Sequence, residues 1–237
     1  MYKRIVIKLS GEALSSGPDH LYDDAIIDNI VSQIKNVVDM GVQVGVAIGG
    51  GNIWRGRNTK SIHQTKADQM GMLATVINSM YLCERLKLHG QPATVFTPLS
   101  ISTFTKVYSR EATLDHMERG RVAVFGGGLG HPFFSTDTIP VLRACELDCD
   151  AVFFAKNING VFDKDPNKHA DAVRYREMTY RQVIEQNLEA IDIAAMVMCE
   201  NNDIPSFVFS LNHPKSIELA ASGSKDQLDF GTIITSK

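Results

Sequence analysis

No stretch of this 237-residue chain approaches 18 consecutive apolar residues, so no membrane-spanning helix is expected. Cysteine is scarce. Cys83, Cys145, Cys149 and Cys199 form no Cys-x-x-Cys pair, which argues against a structural zinc site and leaves four reduced, mostly buried thiols as the expectation. No Gly-Lys pair occurs anywhere, and this excludes a P-loop, which needs Gly-Lys followed by Ser or Thr. Charge of one sign is not in excess: 24 Lys and Arg stand against 27 Asp and Glu, a net −3, with no long charge run. That balance argues against a nucleic-acid or anionic-membrane surface, but not against a small anion met by local positive charge. The opening MYKRIVIKLSGEAL has only a short apolar run and carries Lys8 and Glu12. It reads as a first strand rather than a signal peptide, and a cytoplasmic protein is expected.

What is present is alternation. RIVIKL (4–9), VQVGVAI (42–48), ATVF (93–96), RVAVF (121–125), AVFFA (151–155), SFVFS (206–210) and GTIIT (231–235) are strand candidates. Between them, apolar residues recur at spacings of three and four. Ile26, Ile27, Ile30, Val31, Ile34, Val37 and Val38 mark a helix over 24–40, with Gly41 as its stop. Further helical patterns run over 66–88, 109–119 and 137–148, and over 179–202 in two pieces. Strands alternating with helices predict parallel crossovers and a sheet covered on both faces. The expected fold is α/β: one three-layer αβα domain over residues 1–237, around a mostly parallel sheet. Ligands in such sheets bind beyond the C-terminal ends of the strands.

Three glycine clusters follow three of these strands: KLSGE (8–12), IGGGNIWRG (48–56) and GGGLGHPFFSTD (126–137). Glycine lets a backbone approach a ligand closely, and successive N–H groups then form an anion-binding concavity. One cluster is equally well a tight turn; three point to one shared phosphate site at one sheet edge. The dinucleotide pattern GxGxxG fails, because its third glycine would fall on His131 or on Trp54. Lys8 and Arg55 stand beside the glycines and can each meet a phosphate, or else are solvated surface cations. Asp137 stands where a helix begins, as a catalytic carboxylate or as an N-cap, with Ser135 and Thr136 as alternative caps. Phosphoryl transfer between two anions asks for positioning and cationic neutralisation, which these residues can supply.

The ordered set KLSGEAL (8–14), IGGGNIWRG (48–56), ADQMGMLAT (67–75), GHPFFSTD (130–137), NGVFDKDP (159–166) and AIDIAA (190–195) resembles the bacterial type of uridylate kinase, a branch of the amino acid kinase family. The resemblance runs from Tyr2 to Thr235 and implies the amino acid kinase fold. It implies transfer of the γ-phosphate of ATP to UMP, giving UDP and ADP with Mg²⁺, in pyrimidine nucleotide biosynthesis, and self-association as a homohexamer. Lys8, Leu9, Ser10, Gly11, Gly51 and Arg55 would lie at the ATP phosphates. Asn157, Phe162 and Asp165 would hold the adenine and ribose of ATP. Gly50 would face UMP, Asp68 would accept its ribose hydroxyls, and Leu129, Gly130, His131, Pro132, Phe133, Phe134, Ser135 and Thr136 would wrap its uracil and ribose. Lys8, Arg55, Asp137 and Asp192 would be the catalytic set, with Asp137 organising the lysine. The N-terminal part would carry mainly the UMP site and the C-terminal part mainly the ATP site. No metal ligands in the protein are assigned.

The chain departs from the pattern at Leu129, where relatives carry Thr, and at His131, where Asn or Asp is common. Asn159 replaces an acidic residue, and the alignment at Lys156 and Asn157 is open by one position. Two competing readings are another amino acid kinase, acting on a carboxylate or carbamate, and a nucleotide-binding regulator that has lost the chemistry. The segment SSGPDHLYDD (15–24) lacks the Gly-Phe-Gly pattern that accompanies GTP activation in relatives. GTP added to a steady-state assay is therefore expected to change the rate little or not at all, and a clear several-fold rise would contradict this.

Overall fold

The run RIVIKL forms a strand buried along its whole length, β1 (Arg4–Leu9), and lies at the middle of the sheet. The computed structural model describes residues 2–17, 20–55, 61–188, 191–224 and 227–237. In chain order the other strands are β2 (Gln43–Ile48), β3 (Ala93–Thr97), β4 (Lys106–Val107), β5 (Val122–Phe125), β6 (Ala151–Lys156), β7 (Val161–Phe162), β8 (Arg174–Tyr175), β9 (Glu177–Thr179), β10 (Ser206–Ser210) and β11 (Gly231–Thr235). The helices are α1 (Asp24–Asp39), α2 (Gln64–Leu88), α3 (Arg110–Glu118), α4 (Thr138–Glu146), α5 (Tyr180–Glu185), α6 (Ile193–Asn201), α7 (Ser216–Ser222) and α8 (Gln227–Phe230).

Among the described residues, nine strands form one sheet in the order β4-β3-β5-β2-β1-β6-β10-β11-β9. The pairings are parallel except β10 with β11. β1 pairs with β2 on one side and β6 on the other. From β1 the sheet extends in one direction through β2, β5, β3 and β4, with β5 inserted between β2 and β3, and in the other through β6, β10, β11 and β9. The order reverses between β1 and β6, and the crevice beyond their C-terminal ends is where a doubly wound sheet offers a binding site.

Strand parity decides which side chains face which helices. Ile5, Ile7 and Leu9 pack with α1, α2 and α7 residues such as Ile30, Leu82 and Ile217. Val6 packs on the opposite face with α3, α4 and α6 residues such as Met117, Val141 and Met196. Lys8 shares the parity of Val6, and Lys156 shares that of Val152 and Phe154, which lie in the same cluster. The two lysines thus end adjacent regions of the sheet on its α4 side.

Helix boundaries follow local chemistry. Asp23 caps α1 by accepting from the Ala25 and Ile26 amides. Gly41, at φ +89°, turns the chain out of it as expected. Two features differ from the sequence reading. β11 runs antiparallel to β10, because the chain turns back through the short α7 and α8 rather than crossing the sheet. Alternation in GTIIT specifies a strand but not its direction. The strands β4, β7, β8 and β9 are two or three residues long, too short to leave a periodic signal.

Candidate active site

Lys8 and Asp137 meet at the crevice. Lys8 Nζ lies 2.9 Å from Asp137 Oδ1, and both side chains are about nine-tenths buried, at 11% and 12% exposure. Lys156, at the end of β6, brings a second ammonium 3.8 Å from Asp137 Oδ2. The main-chain N–H of Asp192 donates to the same oxygen at 3.4 Å. Burial alone would raise the Asp137 pKa. The two ammoniums outweigh it and hold the carboxyl below its usual range. Burial pushes the Lys156 ammonium below the ordinary lysine value; Asp137 opposes that shift and Lys8 adds to it.

Asp137 occupies the N-cap position of α4, but its side chain caps nothing there. Its carboxylate turns to the lysines instead, so the capping alternative does not describe it. Its own N–H is held by Ser135 Oγ at 3.2 Å. Asp192 is the converse: its carboxylate caps α6 by accepting from the Ala194 amide at 3.1 Å, and only its backbone reaches Asp137.

A cleft of about 520 Å³ opens over this cluster. Lys8, Ser10 and Gly11 line it with Gly50, Gly51, Arg55 and Asp68, and across from them with Leu129, His131, Phe134, Ser135, Thr136 and Asp137. All three glycine clusters converge, although Gly56 lies outside the described residues, as do Pro18 and Asp19 of the 15–24 segment and Ala190 of the 190–195 motif. Gly11 is fixed by packing, since a Cβ there would sit 2.5 Å from Asn52 Oδ1 and 2.6 Å from the Gly49 carbonyl. Leu9 is fully buried in the core and touches the site through its carbonyl, which accepts from the Gly49 N–H at 2.9 Å.

Arg55 stands at the cleft with its Nε donating to the Gly51 carbonyl at 3.0 Å and its guanidinium on the Glu12 carboxylate. Asp68 is not a plain solvated carboxylate. It accepts from Gln64 Nε2 at 2.7 Å and from the Phe133 N–H at 2.8 Å, tethering α2 to the 126–137 loop. Phe133 has φ +70°, and the residue is 70% exposed. Gly130, Pro132 and Phe133 stand outside the cleft lining.

The residues expected at ATP divide among three spaces. The phosphate group of residues lies in the cleft. Phe162 and Asp165 line a second cavity of about 530 Å³ with Ile158, Lys164 and Leu188. Asn157 lines a third, with Glu12, Asn52 and Arg55. Lys156 was missed by the sequence reading, although its signal was present: like Lys8, it is a lysine ending an apolar strand that precedes a loop.

A crevice at a sheet's reversal point, glycine loops on both sides and two ammoniums around one carboxylate are together able to meet the charge of phosphoryl groups. The amino acid kinase family model matches residues 3–210, and the chain belongs to that family. Among solved structures, the UMP kinase of Bacillus anthracis is 33% identical with a TM-score of 0.94, over 100% of this chain and 97% of that one. The UMP kinase of Ureaplasma parvum is 29% identical with a TM-score of 0.91, over 99% of each chain.

The lowered Lys156 value has a kinetic consequence. Its charge is present at low pH and is lost, as pH rises, earlier than that of an ordinary lysine. The alkaline fall of the pH–rate profile should therefore begin below the ordinary lysine range of about 10.4. Lys156→Arg, whose charge persists, should move that fall upward; an identical alkaline limb in the two proteins would contradict this.

Proposed function

We propose that the chain transfers the γ-phosphate of ATP to UMP, giving UDP and ADP, as a step of pyrimidine nucleotide biosynthesis. The observation that carries this is the buried Asp137 with Lys8 and Lys156 beneath glycine loops on both sides. The likeness to two UMP kinases over essentially the whole chain supports the choice of substrates.

The acceptor phosphate is already an anion, so the reaction needs no strong base. It needs two mutually repelling phosphates brought into line and their charge neutralised as the phosphoryl group passes between them. Lys8, which lines the cleft, and Lys156, which joins it through Asp137, would supply that charge. Asp137 would keep the two ammoniums converged, and Asp192 would steady it through its backbone N–H. Arg55 would exchange Glu12 for an incoming phosphate. Ser10, Gly11 and Gly51 would line the ATP phosphates. Gly50, Asp68 and the 129–136 segment would hold UMP, with Asp68 accepting the ribose hydroxyls. Leu129 has no side-chain donor, so any hydrogen bond there would come from its backbone. Asn157, Phe162 and Asp165 would hold the adenine and ribose of ATP.

Mg²⁺ would come with ATP. No group of three or more His, Cys, Asp or Glu among the described residues is placed to cage a cation, and such an ion is commonly held by nucleotide phosphates and water. It would draw charge from the transferred group. One continuous sheet supports a single amino acid kinase domain. The homohexamer stays part of this reading as the resemblance implies it, and self-association is supported by a row of exposed apolar residues on α2: Met70, Leu73, Ile77 and Met80, from 36% to 59% exposed. A cytoplasmic location fits this reading, and no described helix is long and apolar enough to cross a membrane.

A coupled assay of ADP release with UMP, CMP, acetylglutamate, glutamate and carbamate tests the substrate directly. UMP should be the best acceptor. Turnover on an amino acid or carbamate with none on UMP would overturn the reading.

A further inference from the structure

The long helix α2 carries a polar row on its buried side. Thr75, Asn78 and Ser79 are 2%, 0% and 0% exposed, and spacings of three and four place them on one face. Such groups are costly to bury in the middle of a helix unless they find partners. Ser79 Oγ donates to the Phe125 carbonyl at the end of β5, at 3.4 Å, and the partners of Thr75 and Asn78 include the glycine loops.

Asn78 Nδ2 donates to the Gly49 carbonyl at 2.7 Å and to Asn52 Oδ1 at 2.8 Å. Its Oδ1 accepts from the Tyr22 hydroxyl at 2.8 Å. Thr75 Oγ1 accepts from the Gly127 N–H at 2.8 Å and donates to the Met72 carbonyl at 2.7 Å. The loops also rest on the helix sterically. A Cβ on Gly50 would lie 2.8 Å from Ala74 Cβ, and one on Gly126 would lie 2.8 Å from Ser79 Oγ. One rigid helix therefore anchors the 49–52 loop through Asn78 and the 126–128 loop through Thr75, one turn apart.

We propose that Asn78 and Thr75 are positioning residues for phosphoryl transfer, and that α2 sets the separation of the two loops between which the phosphates must align. Asn78 does not line the cleft and acts through the 49–52 loop, on the Gly49 carbonyl and the Asn52 side chain, whereas Thr75 lines the cleft itself and holds the Gly127 N–H. The inference rests on the UMP kinase reading and adds to it two residues that this reading does not use. A displacement of about 1 Å in such an alignment can cost on the order of 10² in rate.

The test is steady-state kinetics on the full chain. Asn78→Leu keeps the bulk and removes the hydrogen bonds. It should lower kcat on the order of 10–100-fold, because its loop lies between both substrates. Thr75→Val keeps the shape and removes the hydroxyl. It should raise KM for UMP about tenfold while KM for ATP stays within about twofold, and Thr75→Ser should restore the wild-type values. If Asn78→Leu does not fold, Tyr22→Phe removes only the hydroxyl that orients Asn78 and should lower kcat in the same sense, by about threefold. Folded variants with a lower melting temperature but kcat and both KM values within about twofold of wild type would overturn the proposal. A wild-type protein that does not phosphorylate UMP would instead overturn the reading beneath it.

Discussion

Everything at this site turns on one carboxylate buried between two ammoniums. Asp137 lies 2.9 Å from Lys8 and 3.8 Å from Lys156. Two ammoniums that close, away from water, would repel each other and be costly to desolvate; a carboxylate between them makes the arrangement tolerable. Removing one partner from a buried pair of this kind costs about 3–5 kcal/mol, because the charge left behind has nothing to meet. The cluster carries a net positive charge when both lysines are protonated, and it sits at the floor of a cleft. Anions entering the cleft would complete it.

The sheet supplies the convergence. Parity along β1 and β6 sends Lys8 and Lys156 to the same face, and the reversal of strand order between these strands opens the space above them. α4 begins at Asp137 and α6 follows Asp192, so both helix starts are brought to the same point. The long α2 then holds the remaining glycine loops from the other side. The exposed apolar row on α2 and its buried polar row belong to one rigid element.

Much of this was legible in the sequence. The apolar strands and the α1 stripe give clear signals, and the structure places them and α2 within a residue or two of their expected bounds, although Met70, Leu73, Ile77 and Met80 of the α2 pattern are exposed. The three glycine clusters stood behind strands and converge as expected. Lys8 and Asp137 were found because each stands at the joint between an element and a loop. Other features left no such trace or had it obscured. The direction of β11 depends on how its connection returns, which alternation does not encode. Lys156 was obscured by an alignment open by one position. Thr75 and Asn78 look like ordinary polar residues in a helical pattern, and their role depends on which backbone groups are folded against them. The capping alternative for Asp137 was sound local chemistry, displaced by a tertiary partner 129 positions away in the sequence.

The most direct measurement is turnover of Asp137→Asn beside the wild type, with nucleotide binding followed separately. The substitution keeps the shape of the side chain and removes the charge that holds the lysines together. Turnover should fall on the order of 10²–10³ while ATP and UMP still bind. Near-normal turnover with unchanged binding would contradict the account.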